Sequence, residues 1–83
     1  MIRPISIVLV DDHALVRDML RQRLTQETNM VVLSCESNAQ DAVRCCVATC
    51  PDVVLLDIDM PGLSAFEGAR SIKSQCSGTR LIF

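Results

Sequence analysis

Aspartates stand where two apolar runs end. Ile5-Ser6-Ile7-Val8-Leu9-Val10 leads into Asp11 and Asp12, and Val53-Val54-Leu55-Leu56 leads into Asp57. Carboxylates beside buried strands are costly to desolvate, so residues of this type at both strand ends point to use rather than accident. If the two strands are neighbours in one sheet, Asp11, Asp12 and Asp57 converge at its carboxyl edge. Three hard oxygen donors at one point suit Mg²⁺, which keeps several waters and leaves positions for phosphate oxygens. One of the three can also act as a nucleophile toward phosphorus. Unit charges about 4 Å apart repel by about 4 kcal/mol at an effective dielectric near 20, so such a pocket costs stability until a cation enters. Asp57, on the more central strand, is placed for in-line attack on a phosphoryl group held by that ion, which would give an acyl phosphate.

Each residue also has a plainer role open to it. Asp12 fits an N-cap for the helix that follows, which does not exclude a metal role. Asp57 could be a turn residue, since Asp is common there. Asp59 reads as structural, or as a donor of its main-chain carbonyl alone. His13 is the single histidine and has no partner for general-base work, so catalysis by it is not expected. Five cysteines (Cys35, Cys45, Cys46, Cys50 and Cys76) form an odd set with no CxxC pair. They read as small buried hydrophobes in a reducing compartment, with Cys46 and Cys50 sharing one helix face.

The elements that must position these side chains follow from periodicity. Residues 5–10 form a nearly unbroken β-branched run, as in a strand buried on both faces. From Asp12 to about Glu27, Leu15, Val16, Met19, Leu20 and Leu24 recur at helical spacing, with Arg17, Asp18, Arg21 and Gln22 opposite. Met30 to Cys35 predicts a second strand. Ser37 with Gln40 predicts a capping box for a second helix, whose inner stripe is Ala39, Ala42, Val43, Cys46, Val47 and Cys50, ended by Pro51. Residues 53–56 predict a third strand and Ile58 to Leu63 a loop shaped by Met60-Pro61-Gly62. Ser64 with Glu67 predicts a capping box for a third helix through about Ser74, with Phe66, Ala69 and Ile72 inward and Ala65 or Lys73 flanking. Cys76 to Thr79 is a turn, and Arg80 to Phe83 begins a fourth strand.

Strand and helix alternate with no hairpin signal, which requires a parallel sheet with right-handed crossovers. Ligands on such α/β sheets bind beyond the carboxyl ends of the strands, where strand order reverses. The 83 residues make one domain at most, and 49% hydrophobic content supplies a core with two Phe and no Trp or Tyr. A formal charge of −2 argues against nucleic-acid binding by this segment itself. No apolar run approaches the roughly 20 residues of a membrane span, and the N-terminal run is no signal peptide. The default expectation is a soluble cytoplasmic protein.

On these residues the chain resembles the receiver domain of bacterial two-component response regulators. Ile7 to His13 is similar to the family's first strand and acidic pair, and Val54 to Gly62 to its phosphoacceptor strand and loop, about 45 residues apart. The likeness covers essentially the whole chain, 1–83, as a partial receiver domain of four strands and three helices. His13 and the Asp57-Ile58-Asp59-Met60-Pro61-Gly62 segment look most like the subfamily with a LuxR-type helix-turn-helix output domain. The resemblance implies a flavodoxin-like doubly wound parallel sheet, of order 2-1-3-4-5 when complete. It implies that Asp57 receives phosphate from a phosphohistidine on a sensor histidine kinase. Asp11, Asp12 and Asp57 would bind Mg²⁺, with the main-chain carbonyl of Asp59. DNA would be reached only through an output domain absent from this chain.

The chain departs from the family pattern in two ways. The Thr or Ser ending strand four and the Lys ending strand five, which grip the phosphate in the family, lie beyond Phe83, as do the fifth strand and last two helices. Ala65 stands where the family usually has Gly. Two other readings compete: a receiver-like binding module that no longer switches by phosphorylation, and a haloacid-dehalogenase-type phosphohydrolase using Asp57 and Asp59. The chain reads as truncated within an apolar strand, leaving one sheet face and the first helix under-covered. The isolated 83 residues are therefore expected to be marginally stable, a homodimer or swapped oligomer, or else part of a longer protein. A cooperative thermal transition from a species that sizes as a monomer would contradict this.

Overall fold

Strand and helix alternate as β1 (Ile5–Val10), α1 (Ala14–Thr25), β2 (Met30–Glu36), α2 (Ala39–Thr49), β3 (Val53–Leu56), α3 (Ala65–Gln75) and β4 (Arg80–Ile82), in a computed structural model that describes residues 3–59 and 64–83. The four strands form one parallel sheet of order β2-β1-β3-β4. This is the doubly wound arrangement expected from the alternation, through its fourth strand. The Met60-Pro61-Gly62 loop expectation lies outside the described residues.

Alternation along the strands divides the core. Val8, Val10, Val54 and Leu56 join Ala42, Cys46, Ala65, Ala69, Ile72 and Cys76 in one buried cluster, so α2 and α3 cover that face. Ile7 and Leu9, buried as well, point the other way. There α1 packs on β1 and β2, but none of its residues is buried. Leu15 and Met19 remain 72% and 61% exposed. That face is under-covered, as the sequence suggested.

Three local expectations shift. The α2 cap is Asn38 with Asp41 rather than Ser37 with Gln40: Asn38 Oδ1 accepts from the Asp41 amide at 2.8 Å and its Nδ2 donates to the Asp41 carboxylate at 3.0 Å. The helix begins at Ala39, so the cap position falls one residue later than expected. Of the α2 stripe, Ala39, Ala42 and Cys46 are buried and Val43 packs against the core, whereas Val47 and Cys50 are exposed. In α3, Ser64 Oγ accepts from the Glu67 amide at 3.1 Å, as expected. Phe66, however, points outward, 60% exposed, and Ala65, Gly68, Ala69 and Ile72 form the inner face. The reason is the close approach of α2. A Cβ on Gly68 would lie 3.3 Å from that of Ala39, so only small side chains fit between these helices.

The cysteines are not all core filler. Cys46 and Cys76 are buried in the cluster, but Cys50 and Cys76 are joined by a disulfide, with Cα atoms 5.5 Å apart. Cys50 caps α2 in the left-handed conformation (φ 43°).

At the amino edge, Asp52 locks β1 to β3. Its carboxylate accepts from the Ser6 amide (2.8 Å), the Ser6 hydroxyl (3.0 Å) and Arg3 (2.8 Å), while its own amide donates to Ser6 Oγ (2.9 Å). The Ser6 hydrogen bonds, reinforced by the Arg3 charge, hold the Asp52 carboxyl below the usual carboxylate range. A depressed folded-state value means that this contribution is complete above the ordinary carboxylate range near 4 and is lost as pH falls through the lower folded value. Asp52→Asn keeps the shape and removes the charge. Its melting temperature is expected to lie below that of the unsubstituted chain at pH 7. The gap should close on acidification through and below the carboxylate range, as followed by circular dichroism melts across pH.

Candidate functional site

The strand order changes direction at β1, which has β2 on one side and β3 on the other. Crossovers to opposite sides leave a crevice beyond the carboxyl ends of β1 and β3. Asp11 and Asp12 follow β1, and Asp57 follows β3. The pairing is direct: the Asp57 amide donates to the Val10 carbonyl at 2.9 Å, and the Asp11 amide to the Glu36 carbonyl at 3.1 Å. Both backbones are thus fixed by the sheet at the residue that carries the carboxylate. The structure brings Asp11, Asp12 and Asp57 together, as their positions in the sequence suggested.

A fourth residue joins them. One ligand atom from each of Asp11, Asp12, His13 and Asp57 lies within 4.8 Å of every other. His13 Nδ1 is 2.9 Å from an oxygen of Asp11, 2.9 Å from one of Asp12 and 3.9 Å from one of Asp57. The hydrogen bond to Asp11, then the charges of Asp12 and Asp11, raise the His13 pKa above its ordinary value. In the sequence His13 has no second histidine to work with as a general base, and in the structure its partners are carboxylates instead. Its signal was adjacency to an acidic pair at a helix start, a position from which an imidazole can fold back onto the carboxylates. His13 is itself the N-cap residue of α1, so Asp12 is not the cap.

Arg17 is a second residue that periodicity misplaced. Expected on the outer side of α1, it is half-buried and donates from its guanidinium to the Asp11 carbonyl at 2.7 Å. It steadies the backbone that carries the acidic pair. Asp59 contributes differently again: its amide donates to Asp57 Oδ1 at 3.1 Å. That bond orients the Asp57 carboxylate with Oδ2 toward His13. The Asp59 side chain is not a member of the four-residue cluster.

Asp11 and Asp57 are half-buried and Asp12 is exposed, with 16%, 22% and 30% of their side chains open to solvent. They are accessible to small solutes yet held. A cavity of about 200 Å³ opens beside Asp11 and Asp57, bounded by Leu9, Leu55, Arg17 and Phe83 among others. Ligand oxygens about 2.1 Å from an octahedral ion lie roughly 3 to 4 Å apart. A set spanning 4.8 Å closes on such an ion with small side-chain rotations. The donor set therefore fits a hard divalent cation, and it leaves Asp57 in reach of whatever that cation holds.

Comparison with known proteins agrees with this geometry. The family model described as Response regulator receiver domain matches residues 7–83. The response regulator UvrY of Escherichia coli is 38% identical over 78 residues, covering 94% of this chain and 36% of that protein. The chain thus spans little more than a third of that relative. Among solved structures, the response regulator domain of Thermotoga maritima CheB superposes with a TM-score of 0.88 at 30% identity, covering 95% of this chain and 58% of that one. A LuxR-family two-component response regulator from Aurantimonas sp. gives 0.86 at 31% identity, covering 94% and 56%.

Like charges held this close destabilise one another. Asp11→Asn is expected to stabilise the cation-free protein by about 1 kcal/mol, raising its melting temperature by several degrees. If the pocket takes Mg²⁺, the same change should weaken that binding at least tenfold, read by calorimetric titration at a pH where His13 is neutral. Equal or lower cation-free stability would count against a shared carboxylate pocket.

Proposed function

We propose, because this chain belongs to the response regulator receiver domain family, that Asp57 is the phosphoacceptor of a two-component signalling protein. The observation that carries the reading is the meeting of Asp57 with Asp11 and Asp12 at the reversal of strand order. On this reading residues 1–83 make up part of a receiver domain, in its first four strands and three helices.

Asp11, Asp12 and Asp57 would hold Mg²⁺ through carboxylate oxygens, with the main-chain carbonyl of Asp59 as a further ligand. Bound there, Mg²⁺ supplies positive charge that neutralises phosphoryl oxygens and lines them up with the nucleophile. A carboxylate oxygen of Asp57 attacks the phosphorus of a phosphohistidine on a sensor histidine kinase. The new O–P bond forms as the P–N bond breaks, and the departing imidazole takes a proton. The Asp59 amide keeps the Asp57 carboxylate turned toward its partners during the attack. Arg17 holds the Asp11 backbone, and through it the acidic pair, in place. The chain is then a signalling phosphoacceptor rather than an enzyme, with self-catalysed phosphoryl transfer at most.

The reading extends to the setting. The chain works in the cytoplasm, and DNA is contacted through an output domain outside these residues, of the LuxR type. Self-association as a homodimer or swapped oligomer is part of the same reading. Among the described residues no helix is long and apolar enough to cross a membrane. Family membership removes the haloacid-dehalogenase alternative.

Intact mass after incubation with Mg²⁺ and a small phosphodonor such as acetyl phosphate tests the proposal. One phosphoryl adduct is expected, dependent on Mg²⁺ and absent from Asp57→Ala. An unchanged mass would favour a receiver-like binding module that does not switch by phosphorylation.

A further inference from the structure

The far end of β3 carries a second chemically competent pair, the sulfurs of Cys50 and Cys76. We propose that Cys50 and Cys76 are a reversible thiol–disulfide modification site, oxidised by small-molecule disulfides, that clamps α2 to α3 at the sheet edge opposite the carboxylates. Their Cα atoms are 5.5 Å apart, within the range a disulfide requires, although 26 positions separate them in the chain.

The two helices are parallel neighbours on one face, and their contact has two ends. At the amino end, Gly68 and Ala39 bring the backbones together. At the carboxyl end, the caps of α2 and α3 are Cys50 and Cys76 themselves. Cys50 is the one non-glycine residue with positive φ among the described residues. A glycine would end α2 there without strain, so helix termination alone does not call for a cysteine.

Both oxidation states are provided for. Cys50 is exposed and Cys76 buried. A groove of about 360 Å³, lined by Asp52, Gln75, Ser77 and Gly78, runs along the pair and gives a small thiol or disulfide access. When the bond is reduced, the buried Cys76 thiol has an acceptor ready, because its Sγ lies 3.3 Å from the Cys46 carbonyl oxygen. Reduction therefore leaves no orphaned polar group inside the core.

The remaining cysteines are poor competitors. Cys46 is fully buried, and that burial pushes its thiol up to about 11, keeping it protonated and unreactive. Burial likewise raises Cys35, and Cys45 Sγ is paired with Ser34 Oγ at 3.0 Å.

The exchange balances as follows. The Cys50 thiolate attacks one sulfur of a small-molecule disulfide such as oxidised glutathione, forming a mixed disulfide and releasing one thiolate. The Cys76 sulfur then attacks Cys50 Sγ and displaces the second thiolate. The two protons given up by the cysteines pass to the two released thiolates. The protein loses two electrons and the small disulfide gains them.

The test treats the full chain with oxidised or reduced glutathione, alkylates free thiols and maps the peptides. Oxidation is expected to link Cys50 to Cys76, lower the mass by about 2 Da and leave Cys35, Cys45 and Cys46 alkylated. The apparent melting temperature should rise by about 10 °C, because the closed loop restricts the unfolded chain, and should fall back on reduction. Cys76 is buried and its replacement could unfold the core, so Cys50→Ala is the diagnostic variant. It should melt like the reduced chain under both conditions. A link to a different cysteine, arrest at the mixed disulfide, or a melting shift that survives in Cys50→Ala would each overturn the proposal.

Discussion

The parallel pairing of β1 with β3 is the constraint on which the rest depends. Ile7 pairs with Val53 and Val10 with Leu56, so the residues that follow each strand emerge side by side. A slip of one residue would turn every side chain of a strand to the opposite face, burying what should be exposed and dispersing the carboxylates. The apolar cluster forbids that slip. Val8, Val10, Val54 and Leu56 are each at most 2% exposed, and all lie toward α2 and α3. Packing thus sets the register, and the register sets the electrostatics. The repulsion among Asp11, Asp12 and Asp57 is tolerated because it acts at the rim of a core that it cannot rearrange.

The two edges of the sheet divide the work. The amino edge is tied down by directed bonds: Asp52 with Ser6, Thr79 Oγ1 donating to the Pro51 carbonyl at 2.6 Å, and the Arg80 amide donating to the Asp52 carbonyl at 2.9 Å. These contacts fix where β3 and β4 begin. The carboxyl edge carries charge, exposed loops and a cavity. Rigidity at one end leaves the other free to hold side chains in a geometry that no local preference would select.

The elements and the acidic triad were legible because both depend on short-range pattern. The β-branched runs ending in Asp gave β1 and β3 to the residue, and alternation without hairpins gave the parallel sheet. What was not legible depends on distances between elements. Phe66 satisfies the helical period of α3 as an inward residue, but α2 approaches so closely at Gly68 and Ala39 that the aromatic ring must turn out. It rests instead on Phe83, with ring centroids 5.2 Å apart. Arg17 falls on the polar side of α1, yet its long side chain reaches back to Asp11. The Cys50–Cys76 pair is invisible to spacing rules, because its members stand 26 positions apart with a strand and a helix between them.

On the proposed reading, half-burial of Asp11 and Asp57 is the physical compromise that would let one small pocket serve both cation binding and nucleophilic attack. Full burial would favour the protonated acids, which neither bind a hard cation nor attack phosphorus. Full exposure would leave the side chains mobile and the field among them screened by solvent. Between these limits, the backbone bonds from Asp57 to Val10 and from Asp11 to Glu36 hold the donors in place, and the Asp59 amide fixes the angle of the Asp57 carboxylate. The protein thus invests its order in orientation rather than in desolvation. On that reading an arriving cation would find its ligands already assembled, and its charge, like that of a protonated His13, would relieve the repulsion among them.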